Sequence, residues 1–546
     1  MSQPRTRIVI VGGGPGGYEA ALVAAQLGVE VTVIERSGLG GSCVLTDCVP
    51  SKTLIATSGL MAALEGAHDL GIRFGGEPGA ASDVAPGPGF RAGPVPEPGS
   101  GVAATPGAGS VGGGVPGQGS GPGGVPGPGT DRSVTAEPGS GVGVAPGPGT
   151  GADSAAAAGA PWRPASHACV DAVRLNSRII ELARAQSADV AARLAAEGVE
   201  VVAGVGRLAG PGLVTVGERE IRADTVLIAT GAQPRVLPGA VPDGERLLTC
   251  RQLYDLDELP SELVVVGSGV TGAEFASAFV ALGSRVTLVS SREHVLPNED
   301  TDAAMVVEDV SRRRGMTVLS RSRAVAARRT AGGVEIELDD GRIVAGSHCL
   351  LTVGMVPSTG GIGLEQAGVD VDERGFITVD RVSRTSVPGV YAAGDCTGVW
   401  MLASVAAMQG RIAMWHALGE AVQPLRLGHV AATIFTEPEI ATVGVSQQDI
   451  DHGVVGARVV KLPLATNARA KMEGFEDGFV KLFARRNSGI VLGGVVVAPQ
   501  ASELILGVSL AVEQQLTVDQ IAHTFAVYPS LSGSVTEAAR QLMLPA

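Results

Sequence analysis

Two cysteines, Cys43 and Cys48, stand five positions apart in Gly40-Gly41-Ser42-Cys43-Val44-Leu45-Thr46-Asp47-Cys48-Val49-Pro50-Ser51-Lys52. The stretch reads as the start of a helix, where one turn can bring two such residues to the Cα separation of about 5.5–6 Å that a disulfide requires. The chemistry on offer is thiol–disulfide redox exchange, because adjoining glycines and a helix start favour a reactive thiolate. The competing reading is two buried, inert thiols, a common fate of free cysteine. The remaining cysteines, Cys169, Cys250, Cys349 and Cys396, are scattered, unlike the dense framework of a secreted domain. In a reducing compartment the isolated pair points to catalysis. Lys52 follows on the same helix, where on its own it reads as a surface lysine.

A second kind of chemistry is written in glycine. Ile8-Val9-Ile10-Val11 reads as a buried parallel strand, followed by Gly12-Gly13-Gly14-Pro15-Gly16-Gly17 and a helix through Leu27. Gly12 permits the tight turn, Gly14 lets a pyrophosphate approach the backbone, and Gly17 allows close helix packing, while the helix N-terminus offers N–H groups and a positive dipole end. Glu35, after the next strand, stands where an acid holds a ribose hydroxyl. The construction returns at Leu263-Val264-Val265-Val266-Gly267-Ser268-Gly269-Val270-Thr271-Gly272, so two dinucleotide cofactors are implied. Here the following strand, Arg285 to Val289, ends in Ser290-Ser291-Arg292, without the acid that would repel a 2′-phosphate. That favours NADPH, or tolerance of both nicotinamides; an ordinary solvated Arg292 is the competing reading.

The elements that must position these groups follow from length and texture. At 546 residues the chain exceeds a single domain, and roughly three domains of about 100–200 residues are expected. The hydrophobic share is 45% but only 3% is aromatic, so the core is built from Val, Ala, Leu and Ile in α/β elements. A formal charge of -14 argues against nucleic acid, whose backbone attracts clustered Lys and Arg. No apolar run approaches the roughly 20 residues of a membrane span, and the N-terminus leads straight into a strand; a cytoplasmic protein is expected.

Residues 75–160 are nearly half Gly and Pro, too poor in large apolar side chains to fold, and read as a disordered insertion. Glu97-Pro98-Gly99-Ser100-Gly101-Val102 recurs there as Glu137 to Val142, a loose repeat whose glycine register excludes collagen. Beyond it, Ala168 to Gly198 has helical apolar spacing, and Val199 to Ala203 and Thr225 to Ala229 read as strands. The expected order is a first nucleotide domain from 1–74, 161–240 and 356–425, a second over 241–355, and a third over 426–546. The third carries strands such as Gly478 to Phe483 and two late helices.

Together with Ala229-Thr230-Gly231, Val390-Tyr391-Ala392-Ala393-Gly394-Asp395, Met401-Leu402-Ala403 and Phe435-Thr436-Glu437-Pro438-Glu439-Ile440-Ala441, these motifs resemble the flavin-dependent pyridine-nucleotide disulfide oxidoreductases. That group contains lipoamide dehydrogenase, glutathione reductase and mercuric reductase, and the resemblance covers the chain outside 75–160. It implies an α/β fold with two Rossmann-like dinucleotide-binding domains, for FAD and NAD(P), plus a C-terminal α+β dimerisation domain and a homodimer. Carried over by position, FAD would be held by Gly12, Gly14, Gly17, Glu35, Gly41, Lys52, Thr230, Gly231, Asp395, Met401 and Ala403, with Asp395 on the ribityl chain. The nicotinamide cofactor would fall to Gly267, Gly269, Gly272, Ser290, Arg292 and Gly354. Lys52 would lie near flavin N5 and pair with Glu274; Cys48 would be the flavin-proximal sulfur and Cys43 the interchange sulfur.

The departures redirect the function. Disulfide-reducing members of the family use a His before Pro, oriented by a Glu and contributed by the partner subunit, to shuttle a proton to the thiol. Tyr528 and Gly533 occupy those positions, and tyrosine, with an ordinary pKa of about 10, is a poor base near neutrality. His523 reads as serving its own helix. Asp47, where the family usually has Gly, places a carboxylate beside Cys48 and disfavours its thiolate. The pattern resembles the lipoamide-dehydrogenase-like NAD(P)H:quinone reductases, in which Tyr528 would line a flat acceptor or pack in the dimer interface. A disulfide reductase using Cys43 and Cys48, and a catalytically silent flavoprotein serving as an interaction platform, are the alternatives.

Overall fold

Runs of Val and Ile without polar alternation form strands covered on both faces, the condition of parallel sheets flanked by helices. In the computed structural model, which describes residues 6–67, 70 and 169–543, strand β1 (Arg7–Val11) is buried from Ile8 onward. The insertion expected at 75–160 lies outside the described residues. Helix α1 (Pro15–Gln26) carries the chain from β1 to β2 (Glu30–Glu35), which pairs with it in parallel. Two helices follow, α2 (Gly41–Leu45) and α3 (Cys48–Gly66), and beyond the insertion come α4 (Ala172–Ala196) and β3 (Glu200–Ala203). The finished parallel sheet runs Val390–Ala392, Thr225–Ile228, β1, β2, β3. Three separated stretches of chain therefore build one sheet.

α4 is shorter than the periodicity of 168–198 suggests because its ends are chemically marked. Asp171 accepts from the Arg174 backbone at 2.9 Å to cap the start, and Gly198, at a φ of 74°, turns the chain away after the end. Helix starts of this kind favour Asp because its carboxylate satisfies an otherwise unpaired N–H.

The second nucleotide domain repeats the pattern in the strand order Thr317–Leu319, Arg285–Val289, Glu262–Val266, His348–Leu351, Leu247–Leu248, all parallel. Helix α5 (Val270–Ala281) makes its first crossover and α6 (Thr301–Arg313) the next. The third domain is an antiparallel sheet ordered Ala431–Ile434, Glu439–Gly444, Val491–Ala498, Phe479–Arg485, Ala457–Pro463. Three late helices accompany it, Ala501–Glu513, Val518–Ala522 and Gly533–Met543, where two are expected. A capping box between Thr517 and Gln520 starts the extra one, satisfying donors on both sides of the turn.

One buried cluster crosses all three domains, joining Leu54 of α3 and Ile179 of α4 to Phe275 of α5 and to Phe479 and Phe483 of the antiparallel sheet. Beside it lies an ion network. Lys481, 2% exposed, reaches Asp300 Oδ1 at 2.9 Å and Oδ2 at 2.7 Å, and Asp302 at 2.7 Å. Asp300 also caps α6 through the Ala303 N–H, so the second domain's helix is fastened to the third domain's sheet. Removing one partner of a buried pair strands the other charge. Lys481→Met should therefore lower the free energy of unfolding by about 3–5 kcal/mol, read as a lower denaturant midpoint; an unchanged midpoint contradicts this role.

Candidate active site

The two glycine turns are built by exclusion. A Cβ on Gly12, at a φ of 109°, would fall 2.2 Å from Ala229 O, and one on Gly17 would fall 1.9 Å from Gly12 O. Gly14 has nothing within 4 Å: the turn is closed beneath the helix and open in front, where a pyrophosphate needs backbone N–H groups without a side chain in the way. The second turn has the same form, with Gly267 2.3 Å from Thr352 O, Gly272 1.9 Å from Gly267 O, and Gly269 in open space. Both turns fit a dinucleotide.

In front of the first turn is a cleft of about 710 Å³, within the range of about 300–1,000 Å³ usual for cofactor sites. It gathers Gly12, Gly14, Glu35, Gly41, Thr230, Gly231, Asp395, Met401 and Ala403, with Cys43, Asp47 and Cys48. Gly17 lies beneath the turn and Lys52 behind the cysteines; neither belongs to the cleft wall. The Glu35 carboxylate is held in place by the backbone, accepting from Gly13 N and Ser37 N, each at 2.7 Å, and keeps lone pairs for a ribose.

At the second turn the expected residues divide by burial. Ser290 is 0% exposed, its hydroxyl 2.7 Å from that of Ser268 and accepting from Arg292 N at 3.1 Å. Its work is internal: it shapes the strand end that presents Arg292. The Arg292 side chain is exposed and makes no ion pair among the described residues. Gly354 is exposed with a φ of 102°, and its carbonyl accepts from Arg235 N at 2.9 Å.

The cysteines do not share a helical turn, contrary to the expectation from their spacing. Cys43 lies in α2 and Cys48 opens α3, and between them Asp47 breaks the helix with φ −133° and ψ −96°. Both are free, half-buried thiols. Cys48 hydrogen-bonds to Cys43, which lowers the Cys43 thiol below its ordinary value although burial opposes this. The same bond raises Cys48, with burial, the charge at Cys43 and the Asp47 carboxylate adding to the effect. The pair titrates as a unit, and its first proton leaves from Cys43.

Behind them, Lys52 Nζ meets Glu274 Oε2 at 2.9 Å and stands 4.8 Å from the centre of the Phe435 ring. Burial opposes the ammonium charge, yet the Glu274 carboxylate outweighs it and holds the lysine above its ordinary pKa. Glu274, 4% exposed, also accepts from Phe435 N at 2.9 Å. The expected pairing is present, and Phe435 is a third member that spacing alone does not single out.

Tyr528 stands apart. It is 83% exposed and outside the cleft wall, so a single chain does not bring it to the cysteines. Gly533 begins the last helix. His523 has Nδ1 2.8 Å from Asp519 O in its own helical turn, a local role as its sequence context suggests. Arg251, which no motif marks, enters the cleft and donates to Ser42 Oγ and Ala232 O, both at 3.1 Å.

The sequence profile described as pyridine nucleotide-disulphide oxidoreductase matches residues 6–410, and that of the corresponding dimerisation domain matches residues 430–539. The chain belongs to the pyridine nucleotide-disulphide oxidoreductases. This oxidoreductase is 48% identical to the NAD(P)H dehydrogenase (quinone) of Mycobacterium tuberculosis strain H37Rv over 98% of its own length and 94% of that relative's. It is 28% identical to the dihydrolipoyl dehydrogenase of Chlamydia pneumoniae over 96% and 94%. Among solved structures it resembles LpdA from Mycobacterium tuberculosis, with 47% identity, a TM-score of 0.79 and coverage of 99% and 100%. The flavoprotein disulfide reductase RclA from Escherichia coli, at 22% identity, a TM-score of 0.73 and coverage of 98% and 99%, shares the fold. Membership implies FAD and NAD(P)H, for which the two glycine turns and the cleft are suited.

The order of ionisation in the oxidoreductase can be measured directly. In the reduced protein, substoichiometric iodoacetamide near neutral pH should label Cys43 ahead of Cys48, since the thiolate is the nucleophile. Preferential labelling of Cys48, read by peptide mass spectrometry, would contradict the assignment.

Proposed function

We propose that the oxidoreductase passes electrons from NAD(P)H to quinones or similar flat redox acceptors. The observation that carries this reading is the loss of the His–Glu pair that serves the thiols of a disulfide reductase. Tyr528 and Gly533 stand where that His and Glu would, while the bond from Cys43, burial and, after them, the Asp47 carboxylate raise the Cys48 thiol. The nucleotide turns and the Lys52–Glu274 pair remain intact. The 48% identical relative, an NAD(P)H dehydrogenase (quinone), supports the same choice.

FAD bound in the cleft supplies two-electron chemistry between a nicotinamide and an acceptor. The protein's own residues do the rest. Gly14 and the α1 N-terminus receive the pyrophosphate, Glu35 a ribose, and Asp395 the polyol chain. Lys52, kept charged by Glu274, offers a fixed positive charge to negative charge developing beside it. Gly267, Gly269 and Gly272 admit the nicotinamide dinucleotide, and the exposed Arg292, with no acid at the strand end, favours NADPH. A homodimer is supported by the dimerisation domain and by the exposed segment containing Phe525, Val527 and Tyr528; Tyr528 would then face the acceptor from the partner chain. No described helix is long and apolar enough to cross a membrane, and we place the enzyme in the cytoplasm.

One observation favours a second reading: Cys43 and Cys48 are in hydrogen-bonding reach, with the interchange position the more acidic, as a dithiol reductase needs. The silent-platform reading has no such support, because the ion pair and both nucleotide turns are complete. Turnover of NADPH with a benzoquinone, lipoamide and glutathione disulfide separates the remaining two. Disulfide turnover should be at least about 100-fold slower than quinone turnover, the usual worth of a positioned proton shuttle; rapid lipoamide reduction reverses the conclusion. Separately, Arg292→Ala should reduce the NADPH-over-NADH ratio of kcat/KM by about tenfold, as for loss of one charge-assisted hydrogen bond, and an unmoved ratio removes Arg292 from the site.

A further inference from the structure

Asp47 occupies the residue before α3, a place where aspartate ordinarily accepts a backbone N–H of the first turn. Here it does not. Its side chain makes no capping bond, and its backbone carbonyl alone starts the helix by accepting from Ser51 N at 2.8 Å. Asp47 instead lines the cleft, whose wall also holds Cys43, Cys48 and Asp395. A carboxyl group released from its structural task and placed against a reaction cleft is available for proton transfer.

Reduction of a quinone to a hydroquinone takes two electrons and two protons. NAD(P)H furnishes both electrons with one proton, as a hydride equivalent; the second proton comes from solvent, and a protein group beside the acceptor can deliver it. Lys52 is committed to Glu274, Cys48 is held as a thiol, and Tyr528, even where it faces the acceptor across a dimer, carries a phenol, a weaker acid than a carboxyl. Resting on the quinone-reducing reading, we propose that Asp47 delivers this proton: its carboxylic acid gives H⁺ to a quinone oxygen, becomes the carboxylate, and recovers H⁺ from solvent.

The surroundings suit such a donor. Burial raises Asp47 above the ordinary carboxylate range, with Lys52 on its own helix and Arg251 from the facing segment opposing. Asp395 is pushed up to about 6 by burial and then by Asp47, so two carboxyl groups compete to stay protonated. Of the other groups within reach, Cys43 on α2 favours the protonated acid when it is a thiolate. Cys250, pushed up to about 12 chiefly by burial, and Tyr254, raised by burial, stay neutral. Since the acid is the active form, quinone reduction should slow as pH rises through the carboxyl's raised pKa.

The test compares the holoenzyme with Asp47→Asn and Asp47→Glu. Ferricyanide accepts electrons without protons, so the ratio of benzoquinone to ferricyanide turnover isolates the proton. In Asp47→Asn the ratio should fall at least about tenfold and lose its pH dependence, with Asp47→Glu restoring both; an unchanged ratio and profile would overturn the proposal. A second readout needs no turnover. The rate of Cys43 alkylation in the reduced protein should show an acidic step as Asp47 ionises, absent in Asp47→Asn; a wild-type profile without that step also overturns it. Failure of the underlying reading looks different, because the wild type then reduces ferricyanide but not quinone, whatever the alkylation profile.

Discussion

The half-buried contact between Lys52 and Glu274 is the constraint around which the site is arranged. An ammonium and a carboxylate taken out of water are each costly, and they are tolerated together because each satisfies the other at 2.9 Å. Lys52 belongs to the first nucleotide domain, Glu274 to the second, and Phe435, which gives its ring to one and its N–H to the other, opens the third. No domain can shift without unpairing a charge, so the relation of the cysteine helix to the second glycine turn is fixed by electrostatics as well as by the shared apolar core. The charge that serves chemistry and the charge that locates the domains are the same.

Asp47 shows how a single side chain can alter the balance between sulfur and an aromatic acceptor. Its backbone begins α3, and when its carboxyl is ionised the charge works against a thiolate at either cysteine. A neutral ring would not be disturbed by it. Selectivity of this kind works by penalising one product more than by attracting another.

What the sequence made readable was local and steric. The glycine turns declare themselves because only glycine fits against Ala229 O and Gly12 O, and a strand, a turn and a helix in succession leave few other meanings. Glu35 follows at a fixed distance, and the pairing of Lys52 with Glu274 was legible through family resemblance. The helix break at Thr46-Asp47 was not, because the Val, Leu and Cys around it continue a helical pattern and only the tertiary setting selects the interruption. Nor was the neighbourhood of Asp47, Arg251 and Asp395, three residues from distant parts of the chain that line one cleft. The third late helix was hidden for a different reason: it is only five residues long, and its signal is a capping box rather than an apolar period.

The first parallel sheet has an edge strand, Val390–Ala392, that the ribosome supplies long after its neighbour Thr225–Ile228. Between them the chain encodes the whole second parallel sheet, from Leu247–Leu248 to His348–Leu351. During synthesis the inserted domain can therefore close its sheet while the host domain still presents an unpaired edge, the kind of edge that invites pairing with another chain. The order of the sheet in space thus sets an order of events in time: the host finishes last, and its cofactor cleft, which needs Asp395 just beyond that strand, comes into being only when the guest is already in place.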